Sequence, residues 1–186
     1  MELMQAIVTR RATREYTDIP VEQARIEQFI NAANLAPSAM NRQPWAFVVL
    51  ADPQRIADYA CRAKLWLLKT LDENPEASSL KPLLKNPSYS LLHGAPVLVL
   101  ILATSNEQQA AEDCCLAAEN FMLAARDEGV GTCWIGMVRP WFNLPAIKAE
   151  LNIPEKYQVV APIVLGYPKE WPETHERNPA EIHWVG

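Results

Sequence analysis

The apolar positions of this chain alternate between helical and extended patterns. Leu3 with Ile7, and Met4 with Val8, are spaced i, i+4 and predict a short amphipathic helix over residues 2–10. Ile26, Phe29, Ile30 and Ala33 repeat at i, i+3, i+4, i+7 and predict a second helix, opened by Pro20 and stopped by Pro37. Ala46–Leu50 reads as a short buried strand. Asp52-Pro53 closes it and supplies the N-cap and first position of a third helix running to about Leu71. Residues 72–93 carry Pro75, Pro82 and Pro87 and are expected to drape over the surface. Val97–Leu102 is a continuous apolar run, the pattern of a strand buried on both faces. Ser105-Asn106-Glu107-Gln108 has the capping-box spacing and predicts a helix to Glu128, stopped by Gly129. Nearly every face of that helix is apolar, which suits a core or a subunit interface. Thr132–Val138 reads as a strand, Pro140–Leu151 as a helix and Gln158–Leu165 as the last strand. Pro162 inside it calls for an edge or a bulge. Residues 166–186 form a proline-punctuated tail. Interleaved helices and strands give an α/β or α+β class with a central sheet.

Composition narrows the function. A length of 186 residues suits one domain. The longest apolar run, Ala95–Ala103, has nine residues, whereas a membrane span needs about 20. The N-terminus places its charges after its apolar residues and has no small-residue cleavage site, so no secretory signal is expected. A net charge of −5 argues against a nucleic-acid surface. With six glycines, the chain contains neither G-x-G-x-x-G nor a Walker A loop, so a glycine-loop nucleotide grip is not expected. Cys61, Cys114, Cys115 and Cys133 form no C-x-x-C pair and read as the reduced thiols of a cytoplasmic protein. Cys133 and the Cys114-Cys115 pair read as packing residues. His93, His175 and His183 are scattered, so no metal site is expected.

Four segments carry candidate chemistry. Arg10, Arg11 and Arg14 place three of the 17 basic residues within five positions, where the first helix ends. They complement the helix dipole there, or they bind an anion. Ala36–Trp45 is a stiff polar loop in which Ser38, Asn41 and Gln43 offer hydrogen bonds between Pro37 and Pro44. Gly129–Gly136 pairs a helix stop with a buried strand, and Gly136 inside that strand marks a close approach by a ligand or backbone. Arg177 stands in the tail, as a solvated residue or as a further anion contact.

In this order the strings RRATREY, APSAMNRQPWAFVV, GVGTCWIG and LGYPKEWPETHERNP resemble the FMN-dependent nitroreductase family, over roughly residues 2–184. The resemblance implies an α+β, three-layer fold with a mostly antiparallel sheet between helices. It also implies an intertwined homodimer with two flavin sites at the subunit interface. The whole chain would be one FMN-binding domain, with 167–186 an extension packing on the partner subunit. The implied cofactor contacts are Arg10, Arg11, Ala12, Arg14, Pro37, Ser38, Ala39, Met40, Asn41, Trp134, Ile135, Gly136 and Arg177. Arg10 and Arg177 match phosphate contacts, and Arg14 the basic residue near flavin N1 and O2. The Pro37–Asn41 loop matches the one laid on the ring by the second subunit. Ile135 and Gly136 match the segment whose backbone N–H faces flavin N5.

Three departures stand out. Ala12 replaces a frequent serine, His175 replaces a lysine of some members, and Ser90 brings no charge near Asn86. Trp45 and Trp134 are expected beside the ring pocket. Trp171 and Trp184 are expected to anchor the tail onto the partner subunit. The implied activity is hydride transfer from NADH or NADPH through FMN to an electron-poor small molecule, in ping-pong order. No catalytic side chain is assigned. Another flavin reaction on the same fold (dehalogenation, dehydrogenation or flavin cleavage), or flavin binding without turnover, are the alternatives. Residues 54–93 are expected to shape the open face.

Overall fold

The protein is described by a computed structural model that covers residues 1–73 and 79–186. The elements in chain order are α1 Leu3–Thr9, α2 Gln23–Asn34, β1 Trp45–Leu50, α3 Pro53–Glu73, α4 Lys81–Lys85 and β2 Val97–Ala103. They continue with α5 Gln108–Asp127, β3 Gly131–Trp134, α6 Arg139–Phe142, α7 Pro145–Glu150 and β4 Gln158–Gly166. The strands form one sheet in the order β1-β2-β4-β3, and every neighbouring pair is antiparallel. The sheet lies between two helical layers, as the α+β three-layer expectation requires.

Strand β2 shows how the layers arise. Its residues are buried throughout, and period-2 alternation divides them. Leu98, Leu100 and Leu102 enter the core beneath α3, α4, α6 and α7. Val97, Val99, Ile101 and Ala103 enter the core beneath α2 and α5. Asp52 caps α3 as its sequence predicts, with Oδ1 accepting from the N–H groups of Gln54 at 2.9 Å and Arg55 at 3.2 Å. Gly129 ends α5 at φ +73°, the left-handed geometry of a C′ glycine.

Several expectations are corrected. Helix α2 starts at Gln23, three residues past Pro20, because Val21 is buried and holds the lead-in extended. The capping box does not form. The Gln108 side chain donates forward to Glu112 at 3.0 Å, and Glu107, at the N-cap, pairs with Arg42. The predicted helix over 140–151 is two short helices, since Pro145 has no N–H to continue the ladder. Asn143 bridges that break to β4, donating to the Val159 carbonyl and accepting from the Val159 N–H, both at 2.9 Å. Of the segment 72–93, Pro75 lies outside the described residues. Leu84, Leu91 and Leu92 are fully buried, so this stretch contributes to the core and does not merely drape over it.

Pro162 is not on an edge strand, since β4 lies between β2 and β3. The register slips between Ile101–Ala161 and Leu102–Val159, which leaves Val160 as a bulge two residues away. The Pro162 carbonyl accepts from Ile135 N–H at 2.8 Å, so its missing donor faces the same side. The β3 ladder stops there. The strand predicted over 132–138 therefore ends at Trp134, and a 3₁₀ turn follows over Gly136–Val138.

Gly131 is required by a close approach. A Cβ built on it would stand 2.6 Å from Thr13 Oγ1 and 2.8 Å from Thr13 Cβ. Gly131→Ala should therefore destabilise the fold by about 1–3 kcal/mol in urea unfolding. Adding Thr13→Gly, which removes the Cβ at 2.8 Å as well as the hydroxyl and methyl, should return most of that loss; a double variant no more stable than both singles together predict would mean that the clash is not with Thr13.

Candidate functional site

The arginine cluster owes its position to a change of backbone direction. Arg10 caps α1 in extended geometry, and the chain then runs along the edge of β3. Ala12 bridges Thr132 in parallel, and Thr13 N–H donates to the Thr132 carbonyl at 2.9 Å. The next residues are bonded to the start of the tail. Thr17 N–H donates to Tyr167 at 2.8 Å, and Lys169 N–H donates to Glu15 at 3.1 Å. Two of the four candidate segments thus lie side by side at one sheet edge, together with the start of the tail that leads to Arg177.

Unsatisfied donors concentrate on this edge. Arg10 Nε and Arg11 Nε are buried without a hydrogen-bond partner, as is Thr13 Oγ1. Arg10 Nε lies 3.4 Å from Glu119 Oε1, an ion-pair distance without hydrogen-bond geometry. Buried guanidinium N–H groups left open are costly, and an anion would satisfy them. Arg10 and Arg14 both act on the buried Cys133 thiol, yet burial outweighs them and raises its pKa. That thiol is a packing group, as expected. Burial and the Arg14 cation together hold the His93 pKa below its ordinary value.

Gly136 completes this side. Ile135 N–H is spent on the Pro162 carbonyl, while Gly136 N–H has no partner among the described residues. A Cβ on Gly136 would meet only Trp134 Nε1, at 4.0 Å. Packing within the chain therefore does not demand glycine here, and the amide stands open to an outside acceptor. An adjoining cleft of about 350 Å³ is lined by Ala12, Arg14, Glu15, Glu170, Trp171, Pro172 and Glu173. Its three carboxylates make it a poor anion seat, which leaves that role to Arg10 and Arg11.

The tail is only partly attached. Trp171 packs on the chain's own Arg126, whose guanidinium lies 3.7 Å from the ring centroid. Arg126 Nε also donates to Thr9 Oγ1 at 3.0 Å, so one residue joins α1, α5 and the tail. Beyond it Arg177 is exposed, with no ion pair or hydrogen bond among the described residues, and Trp184 is 90% exposed. The structure does not bring Arg177 to Arg10 within one chain.

The Pro37–Asn41 loop lies elsewhere. It enters β1, the opposite edge strand, and rests on α5. Met40, Asn41 and Gln43 have φ of 53°, 53° and 49°. Left-handed geometry costs a non-glycine residue about 1–2 kcal/mol, less for asparagine. Hydrogen bonds offset the cost. Ser38 Oγ accepts from Gln43 N–H at 2.9 Å, and Gln43 Nε2 donates to Asn41 Oδ1 at 3.1 Å. Ala39 N–H donates to Asp113 on α5. Met40 is 86% exposed at the tip. Trp45 is a core residue donating to Asn34 Oδ1 at 2.8 Å, and does not flank the arginine edge.

Sequence reasoning missed Asp113, Arg126 and His93. An aspartate on the buried face of an otherwise apolar helix was the one legible signal among them. His93 and Gly94 form a positive-φ pair that no local pattern distinguished from an ordinary turn. The described residues contain no cluster of three or more His, Cys, Asp or Glu able to hold a metal ion. No helix among them is long and apolar enough to cross a membrane.

Comparison with known proteins gives this geometry a family. The Nitroreductase family model matches residues 7–167. A protein of Archaeoglobus fulgidus provisionally named NADH dehydrogenase/NAD(P)H nitroreductase is 33% identical over 186 residues, covering 98% of this chain and 97% of the relative. An FMN reductase [NAD(P)H] of Bacillus subtilis is 27% identical, covering 97% of this chain and 71% of its own. A nitroreductase of Bacteroides fragilis, solved with bound FMN, superposes with a TM-score of 0.84 at 25% identity over all of both chains. The arginine segment, the third strand that opens on Gly131 and the layered antiparallel sheet are thus those of a member of the nitroreductase family, to which this chain belongs.

Proposed function

We propose that this chain is a homodimeric FMN oxidoreductase that takes a hydride from NADH or NADPH. The electrons go to an electron-poor small molecule such as a nitroaromatic or a quinone. The observation that carries the reading is the set of open donors on the β3 edge. Buried Arg10 Nε and Arg11 Nε lack hydrogen-bond partners, and the Gly136 amide is free just past the end of β3. This donor set fits FMN, which brings a phosphate dianion at one end and a hydrogen-bonding ring at the other. The names of the relatives, among them an FMN reductase and an FMN-bound nitroreductase, support the same reading.

When bound, FMN supplies reversible two-electron hydride chemistry. The chain supplies position and charge. Arg10 would hold the phosphate, joined by Arg177 if the exposed tail folds back on binding, and each charge-assisted bond would contribute about 1.5–3 kcal/mol. Arg14 sets a fixed cation where reduction adds negative charge. The Gly136 amide offers a backbone donor to the ring. Donor and acceptor bind in turn, in ping-pong order. No proton-transfer side chain is assigned.

The dimer follows from the same layout. One chain holds its arginines at the β3 edge and its Pro37–Asn41 loop at the β1 edge. A second copy would bring its loop to the first copy's arginines. The apolar stripe of α1 supports this, for Leu3, Met4, Ile7 and Val8 are all exposed and only Ala6 is buried. The tail is held on its own chain as far as Trp171, against the expectation of a partner-packed extension from 167, so only residues 172–186 of the single domain would pack on the partner.

Purified protein is expected to be yellow or to turn yellow with FMN. Arg10→Ala combined with Arg177→Ala should weaken FMN binding at least about 100-fold in fluorescence titration, as two charge-assisted bonds are lost. Unchanged affinity would place the phosphate elsewhere. Sedimentation velocity should give a dimer, and a stable monomer carrying full FMN would contradict the shared site. Addition of NADH or NADPH should bleach the bound flavin, and p-benzoquinone should restore its colour.

A further inference from the structure

We infer that Asp113 is the positioning residue that holds the Pro37–Asn41 loop in its ligand-facing shape, and that it acts on the site of the partner copy. The inference rests on the FMN-dimer reading above. Three ties join the loop to α5. Arg42 pairs with Glu107 at 2.9 Å, but both side chains are more than half exposed, where such pairs contribute little. Cys114 Sγ donates to the Pro44 carbonyl at 3.8 Å, a weak contact. Ala39 N–H donates to both Asp113 oxygens at 3.3 Å. Only this last tie joins the loop to a buried charge, since Asp113 is 2% exposed.

The surroundings of Asp113 leave it no other task. It is the sixth residue of α5, too far along to cap the helix. It has no ion-pair partner among the described residues. Its other donor is Gln109 Nε2 at 3.3 Å, one turn back on the same helix. A buried carboxylate with only neutral donors is expensive, and hydrophobic packing would be the cheaper solution on this apolar face. The loop it holds is the one that needs holding. Three non-glycine residues sit in left-handed geometry within four positions. The bonds inside the loop close it on itself but do not orient it on the body of the protein.

Two substitutions separate the acceptor from the donor. Asp113→Asn keeps the shape and removes the charge. Ala39→Pro deletes the N–H without touching α5. Ser38 already has φ −142° and ψ 153°, the extended geometry that precedes proline, and Ala39 opens its turn. Each variant is expected to weaken FMN binding about tenfold, the low end for a long charge-assisted bond. Each should also alter the visible circular dichroism of the bound flavin. The KM for p-benzoquinone should rise more than kcat falls. The double variant should be no weaker than Ala39→Pro alone, because that change already removes the bond that Asp113→Asn, with one acceptor oxygen left, only weakens.

A mixed dimer of one Arg10→Ala chain and one Asp113→Asn chain should bind one FMN at wild-type affinity. Two weak sites would mean that Asp113 serves its own chain, and would overturn the proposal. Wild-type FMN affinity and dichroism in both single variants, or additive losses in the double, would also overturn it. If Asp113→Asn fails to fold, Ala39→Pro decides alone. If Arg10→Ala with Arg177→Ala leaves FMN binding unchanged, the FMN site itself is misassigned, a result distinct from failure at Asp113.

Discussion

The hydrogen bond from Thr13 N–H to the Thr132 carbonyl is the constraint on which the site depends. It lays the residues after α1 against the edge of β3, at a distance only glycine at 131 permits. From it follow the burial of Arg10 Nε and Arg11 Nε and the action of Arg10 and Arg14 on Cys133. The path of the tail follows too, because Glu15–Thr17 pair with Tyr167–Lys169. A short extended segment thereby connects the cation cluster, the third strand and the C-terminal extension.

The same edge is shaped by a missing hydrogen bond. Pro162 has no N–H to extend the β3 ladder, so β3 ends and the chain turns at Gly136. That turn leaves an amide unpaired just past the end of the strand that the arginine segment runs along. A central strand tolerates the proline because the missing donor falls where its neighbour has already ended, with a bulge at Val160 absorbing the register. The end of β3 and the open donor at Gly136 thus have one origin.

Helix α5 connects this edge to the distant loop. It carries Glu119 beside Arg10, Arg126 beneath Trp171 and Asp113 under Ala39. Its apolar residues Cys114, Ala117, Ala118, Phe121 and Ala125 are fully buried, which makes it a rigid support. These three polar side chains each touch a segment that the sequence had singled out.

Much of the layered fold was legible in the chain, because helix and strand periods are local properties. Val97–Leu102 read as a doubly buried strand, and Asp52 and Gly129 read as helix boundaries. The arginine cluster, the polar loop and the Gly136 segment stood out by residue type alone. Local pattern misjudged Ser105–Gln108 and Pro140–Leu151. There the outcome depended on distant partners, Arg42 drawing away Glu107 and Val159 engaging Asn143. Only the tertiary structure decided which segments share an edge, that Ile135 is spent while Gly136 is free, and that Asp113 supports the loop. Those facts rest on pairings between residues far apart in sequence, and no local period encodes which strand edge a segment will meet.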